Sequence, residues 1–226
     1  MIIFLFFNNT SVKSKTLSNI FLGPENLNSR KDLWPNWKLP FHDSKGLSSD
    51  LIYPFWFEGK WLVEAKDEAN PEDNYYYEVI FYKDQLGRIV ADREYNSKSI
   101  AKSILNLDLK VVQNDPLAFN GQITFISSKR FIESKVISRS QIDNDNYFLA
   151  DELVIQNFHE LEASRLSQIE TMTEFYLCGH SSKVSAIKPN ICGIQIQANY
   201  GSRIGDHSVN AINSSKLSMR LTPIAN

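Results

Sequence analysis

Between Trp61 and Leu221 the chain runs as a series of short β-branched and aromatic stretches, each ended by turn formers, and no other feature constrains the fold as strongly. This rhythm is that of an all-β sandwich or barrel. Trp61–Lys66 and Tyr75–Tyr82 read as strands flanking Asn70-Pro71-Glu72-Asp73-Asn74, where proline and asparagine set the turn. Asp84–Gly87 then turns the chain into Arg88–Asp92. Asn96 offers its side chain as an N-cap, and Ile100, Ala101, Ile104 and Leu105 recur at helical spacing, so one short helix with one apolar face is predicted. Alternation resumes in Leu109–Gln113, Gln122–Ser127 and Phe131–Arg139; Gln168–Leu177, Ile191–Tyr200 and Lys216–Leu221 bring the total to roughly nine or ten strands. In Tyr147–Phe158, Phe148, Ala150, Val154 and Phe158 share one face, while Tyr147, Leu149, Leu153 and Ile155 share the other. A strand apolar on both faces is buried on two sides or lines a cavity.

Residues 1–50 lack this order. Gly23-Pro24, Trp34-Pro35, Leu39-Pro40 and the polar Asp43–Asp50 interrupt every period. They read as an irregular leader and wrapping arm, anchored by Trp34, Trp37, Leu39 and Phe41, ahead of one barrel domain at 51–226. Met1–Phe7 is apolar but lacks the basic start and length of a signal peptide, which leaves either a truncated export signal or a plain terminus. No apolar run approaches the roughly 20 residues of a membrane-spanning helix, so the body reads as soluble. A net charge of −2 argues against a nucleic-acid binder, which needs a broad basic face. Cys178 and Cys192 are too few for a disulfide framework or a multi-cysteine zinc site. They read as two small half-buried hydrophobes, with a single bridge as the alternative that export would favour.

The most informative segment is Tyr53-Pro54-Phe55-Trp56-Phe57-Glu58-Gly59-Lys60-Trp61. In small antiparallel barrels a Gly-x-Trp closes one end: the glycine allows a tight turn and the tryptophan plugs the mouth, packed on an arginine from a late strand. Tyr53-Pro54-x-Trp56-x-x-Gly59-x-Trp61-x-Val63, Ala91-Asp92-Arg93-x-x-Asn96, Asp115-Pro116, Gln122-Ile123-Thr124, Glu152-x-x-x-Gln156 and Ile169-Glu170-Thr171-x-Thr173-x-Phe175-Tyr176 follow in order. Together these resemble an uncharacterised lipocalin-like, calycin-type family of cyanobacteria and plastids, a domain of unknown function. The resemblance covers about residues 34–200 and implies a single antiparallel lipocalin-like β-barrel with one short helix. It also implies export to a thylakoid lumen or periplasm, the alternative being cytoplasmic. The short Lys66–Asn74 connection and the segment from Gly201 to Asn226 depart from the family pattern.

Candidate chemistry is sparse. Arg93 stands where strand meets helix and can reach a ligand acid or pair with Asp92, Glu94 or Glu152. Arg130 and Arg139 read as solvated hairpin charges unless one points inward to meet an anionic head group. Glu152 and Gln156 share a face with Phe148 and Phe158, so they orient a ligand or satisfy Arg93 and Thr171 internally, and the internal network is preferred. Glu170 and Glu174 read as a solvated face. The histidines at 42, 159, 180 and 207 never occur at paired metal spacing, and only His159 or His180 would serve as a single haem ligand. No nucleophile elbow, P-loop or dinucleotide fingerprint is present.

These features favour binding of a small apolar or tetrapyrrole-like ligand, or a lipid, in an aromatic interior supplied by Tyr75, Tyr77, Phe125, Phe148 and Phe175. The ligand-binding candidates are Trp61, Tyr77, Arg93, Phe125, Phe148, Glu152, Gln156 and Phe175, with no catalytic or metal-binding residue assigned. A second reading is a non-catalytic assembly factor of the photosynthetic membrane that docks a thylakoid protein through the aromatic arm. A third is a calycin-type chromophore lyase or isomerase in which Arg93, Glu152 and Gln156 converge on one pocket.

Overall fold

In the computed structural model the described residues are 27–40, 50–106, 109–114, 121–127, 130–160, 163–179, 188–202 and 209–225. The elements in chain order are α1 (Leu27–Asp32), β1 (Gly59–Asp67), β2 (Asn74–Lys83), β3 (Ile89–Ala91), α2 (Arg93–Leu105), β4 (Val111–Asn114), β5 (Gly121–Ser127), β6 (Arg130–Asn144), β7 (Tyr147–Glu160), β8 (Ala163–Leu177), β9 (Ile191–Asn199) and β10 (Asn213–Pro223). All ten strands belong to one curled antiparallel sheet in the order β3-β2-β1-β10-β9-β8-β7-β6-β5-β4. Neighbours in the sheet are neighbours in sequence except where β1 pairs with β10.

The curl brings the free edges, β3 and β4, to either side of α2, which packs on β2 and β4. The barrel is therefore closed by a helix instead of a hydrogen-bonded seam. β3 pairs only with Phe81–Lys83, leaving the next backbone groups of β2 without a strand partner. Helical residues take them: Asp92 N–H donates to the Ile80 carbonyl at 2.9 Å, and Asn96 accepts from Ile80 N–H at 2.8 Å and donates to its carbonyl at 3.2 Å. Ser99 Oγ accepts from Glu78 N–H at 3.0 Å. Asn96 is thus a surrogate strand rather than the expected N-cap. The cap is Asp92, which accepts from Tyr95 N–H at 3.0 Å.

The register places alternate residues inside and outside the curl. Phe148, Ala150, Glu152, Val154 and Gln156 of β7 face inward, while Leu149 and Leu153 face outward and are equally buried. The two-sided burial expected of this strand is present. What covers the outer face is the arm. Leu27, Trp37 and Leu39 pack over Leu149, Leu153, Met172, Ile196 and Tyr200. Strands β6 and β8 run past the expected Phe131–Arg139 and Gln168–Leu177, because their extra residues, such as Ser140 and Arg165, are exposed polar positions that show no apolar alternation.

Glu170 is the anchor of the arm. It is fully buried, not solvated, and Arg30 of α1 meets it through Nε at 2.7 Å and Nη2 at 2.6 Å. Nη2 also donates to the Lys38 carbonyl at 2.6 Å, the Tyr200 hydroxyl donates to Glu170, and the guanidinium lies 5.0 Å from the Trp37 ring centroid. Burial, reinforced by Glu170, holds the Tyr200 phenol well above the ordinary tyrosine range. Lys31 pairs with Glu174 at 2.8 Å. Helix α1, within a segment expected to be irregular, owes its order to these contacts, since six residues cannot sustain a helix through propensity. Met1–Phe7, Phe41, Asp115-Pro116 and the histidines at 42, 180 and 207 lie outside the described residues.

Arg30→Ala takes the guanidinium away from the buried Glu170 carboxylate, so urea unfolding should show a loss of about 3–5 kcal/mol, with early protease cleavage in the arm. A loss below about 1 kcal/mol would mean that apolar burial alone holds it.

Candidate functional site

Gly59 has φ of 121°, which lets the chain swing from a single 3-10 turn, Phe55–Phe57, into β1. Two residues later Trp61 is fully buried and donates from Nε1 to the Phe57 carbonyl at 2.7 Å. The Lys188 ammonium stands 4.3 Å from its ring centroid and donates to the Glu58 carbonyl. A lysine thus fills the position for which the pattern anticipated a late arginine. Lys188 precedes β9, whose Cys192 is joined in a disulfide to Cys178, just after β8, rather than the two being left as separate small hydrophobes. Register accounts for the bridge: Tyr176 pairs with Cys192, and the two cysteine Cα atoms are 5.4 Å apart.

Beyond Trp61 the interior is filled by rings. Tyr53 lies 4.7 Å from Phe81 and 5.0 Å from Phe148 between centroids, and Phe57 lies 5.1 Å from Phe175. Phe175 fits because its partner on β9 is glycine: a Cβ at Gly193 would lie 2.4 Å from Phe175 Cδ1 and 2.6 Å from the Glu174 carbonyl. Tyr53 and Leu51 come from a short segment that crosses the barrel before β1. Tyr53 bridges to Ile89, and the Gln141 amide accepts from Ile52 N–H at 3.1 Å and donates to its carbonyl at 2.9 Å.

The same segment completes a row of alternating charges. Arg93 Nε is 3.3 Å from Asp50 Oδ2, Arg139 Nη2 is 3.5 Å from Asp50 Oδ1, and Arg139 reaches Glu152 Oε1 through Nε at 2.8 Å and Nη2 at 2.6 Å. Arg139 and Glu152 face each other in register across β6 and β7, each with 7% of its side chain exposed. At so little exposure neither charge is tolerable alone. Arg139, expected in solvent, points inward because a bulge between Val136 and Ser138 resets the strand.

A cavity of about 10 Å³, room for one water, lies between plug and charges. Its apolar lining is Leu51, Phe148, Ala150 and Phe175, and its polar lining is Tyr53, Glu152, Thr171 and Thr173. Burial, then Glu152 and Asp50, push the Tyr53 phenol well above its ordinary value, so it stays a neutral hydroxyl. Deeper along the inner wall the side chains are neutral and polar. Gln197 donates to Thr171 Oγ1 at 2.9 Å. Gln195, paired in register with Thr173, has neither amide atom hydrogen-bonded, and the hydroxyls of Thr124 and Ser134 are likewise buried without partners. Each such group costs about 1–3 kcal/mol.

The expected residues are therefore divided. Phe148, Glu152 and Phe175 line the cavity. Trp61 and Tyr77 belong to the same aromatic core without lining it, and the Tyr77 hydroxyl, its pKa raised by burial, meets Met219 Sδ at 3.9 Å. Arg93 joins through Asp50 and Arg139, and Gln156 is buried farther along the inner face. Phe125 lies on the outer face, 5.7 Å from Phe131, which stacks on His159 at 4.2 Å. His159 also faces outward, bonded to Glu133 at 2.7 Å. Sequence reasoning assigned no site role to Asp50, Thr173 or Gln195. The model of DUF6816, a domain of unknown function, matches residues 45–221. The chain belongs to the DUF6816 family. No curated protein and no solved structure matches it. The matched DUF6816 region takes in the charge row, the plug and the cavity, whereas Arg30 and Trp37 lie before it.

Within this DUF6816 domain Arg139→Ala takes the guanidinium away from the buried Glu152 carboxylate, and chemical denaturation should register about 3–5 kcal/mol of destabilisation. Arg139→Met combined with Glu152→Leu should recover most of it; failure to recover would show that the pair does more than neutralise itself. Gly193→Ala drives Phe175 off β9 and should cost about 1–3 kcal/mol by the same measurement.

Proposed function

We propose that the protein is a binding module that takes a small, largely apolar ligand into the barrel at the aromatic plug. The observation that carries this reading is the cavity, which sits where aromatic walls meet hydroxyls and is covered by Leu51 and Tyr53 from outside the sheet. Their segment is held by a β-bridge, the Gln141 side chain, the Asp50 ion pairs and the packing of Tyr53 on Phe81 and Phe148, and by no strand ladder among the described residues, so it can be exchanged without breaking a pair of strands. Displacing Leu51 and Tyr53 enlarges the one-water cavity into a slot against Phe148 and Phe175. A lipid chain or the edge of a tetrapyrrole has the chemistry for that slot. Because the aromatic end is filled, binding is coupled to movement of the plug.

The curled antiparallel sheet with Gly59-Lys60-Trp61 at one end supports a lipocalin-like assignment. The Cys178–Cys192 bridge supports an oxidising compartment, a periplasm or a thylakoid lumen.

Native mass spectrometry of the full chain after exposure to a pigment-and-lipid extract tests the reading. Wild type should retain a discrete mass, and Ala150→Leu, which fills the cavity, should lose it while keeping its circular dichroism spectrum. A bare protein mass for wild type would sink the proposal.

A further inference from the structure

Gln195 is 1% exposed, faces the interior, and has neither its amide nitrogen nor its amide oxygen hydrogen-bonded. Such a residue is rare in a native interior unless something outside the chain completes it. It is beside the cavity: its register partner on β8 is Thr173, a lining residue, and Thr171 lines the cavity one inward position farther along. On the same inner wall Thr124 and Ser134, 1% and 3% exposed, also keep unpartnered hydroxyls. Beside the cavity the wall therefore offers the Gln195 amide as donor and acceptor and the hydroxyls of Thr171 and Thr173.

Charge narrows the class of ligand. The ionised groups nearest the cavity pair with one another, Glu152 with Arg139 and Asp50 with both Arg139 and Arg93, and of these Arg93 keeps one buried guanidinium nitrogen, Nη1, without a hydrogen bond. An anionic head would meet Glu152 and Asp50, and a cationic head would meet Arg139 and Arg93. A hydroxylated, uncharged head meets no such conflict and supplies both donors and acceptors to Gln195 and Thr173. From this juxtaposition we infer that the ligand is an uncharged amphiphile, its apolar body against Phe148 and Phe175 and its hydroxyl-bearing head toward Gln195, Thr173 and Thr171. The inference rests on the binding reading given above and deepens it.

Three probes with one chain length separate the possibilities: 1-monooctanoylglycerol with a diol head, octanoate with a carboxylate, and methyl octanoate with no donor. Titration calorimetry on the full chain should give monooctanoylglycerol at least tenfold tighter binding than either of the others. Gln195→Leu should shrink its advantage over methyl octanoate to less than threefold, and should raise the melting temperature by removing an unsatisfied amide. Octanoate binding as tightly as the diol overturns the inference while leaving the binding module intact. Equal binding of diol and methyl ester does the same. Absence of binding by all three overturns the inference together with the module. A lowered melting temperature in Gln195→Leu also counts against it, because it means the amide already has partners within the fold.

Discussion

A sheet that curls without joining its edges exposes two rows of backbone donors and acceptors, and the architecture is organised around satisfying them. α2 does so chemically as well as sterically. Asp92, Asn96 and Ser99 present to β2 the groups that a further strand would have presented, and Ser97 bonds to Gln122 on β5 at 3.2 Å across the gap. With the gap spanned by a helix, interior packing need not obey the layering of a closed barrel. An extra segment can then enter the barrel and place Leu51 and Tyr53 among the rings.

Buried charge is handled alike on both sides of the sheet. Outside, Arg30 and Glu170 pin the arm; inside, Arg93, Asp50, Arg139 and Glu152 pin the plug. On each side a residue from outside the sheet, Arg30 or Asp50, meets a charge on a long strand, Glu170 or Arg139. Such pairs contribute little net stability but penalise every arrangement in which a partner is missing, so they specify where a segment of weak intrinsic structure must lie. The apolar anchors alone, Trp37 and Leu39 outside and Leu51 inside, would accept several registers.

Strand positions were legible because β-branched and aromatic runs carry their own periodicity, and β7 announced its double burial through two apolar faces. Side-chain roles were less legible where a face did not have its usual neighbour. Glu170 points away from the barrel, yet the arm makes that face an interior. Phe125 was assigned inward because aromatic residues usually are, but β5 turns Gln122 and Thr124 toward a polar interior and puts the ring outside. Asn96 has the chemistry of a cap, and only the missing strand beside Ile80 shows why it is used otherwise. Arg139 and Glu152 are 13 residues apart and meet through a bulged hairpin register that periodicity does not encode.

The pairing of β1 with β10 has a temporal meaning. β10 lies between β1 and β9, so the ribbon β1–β3, which holds Trp61 and Phe81, is hydrogen-bonded to the rest of the sheet through a strand far from it in sequence. Until β10 pairs, no strand ladder among the described residues joins the two parts of the sheet, which otherwise meet through α2 and the aromatic core. Contacts of such long sequence separation form slowly and leave incomplete chains prone to association.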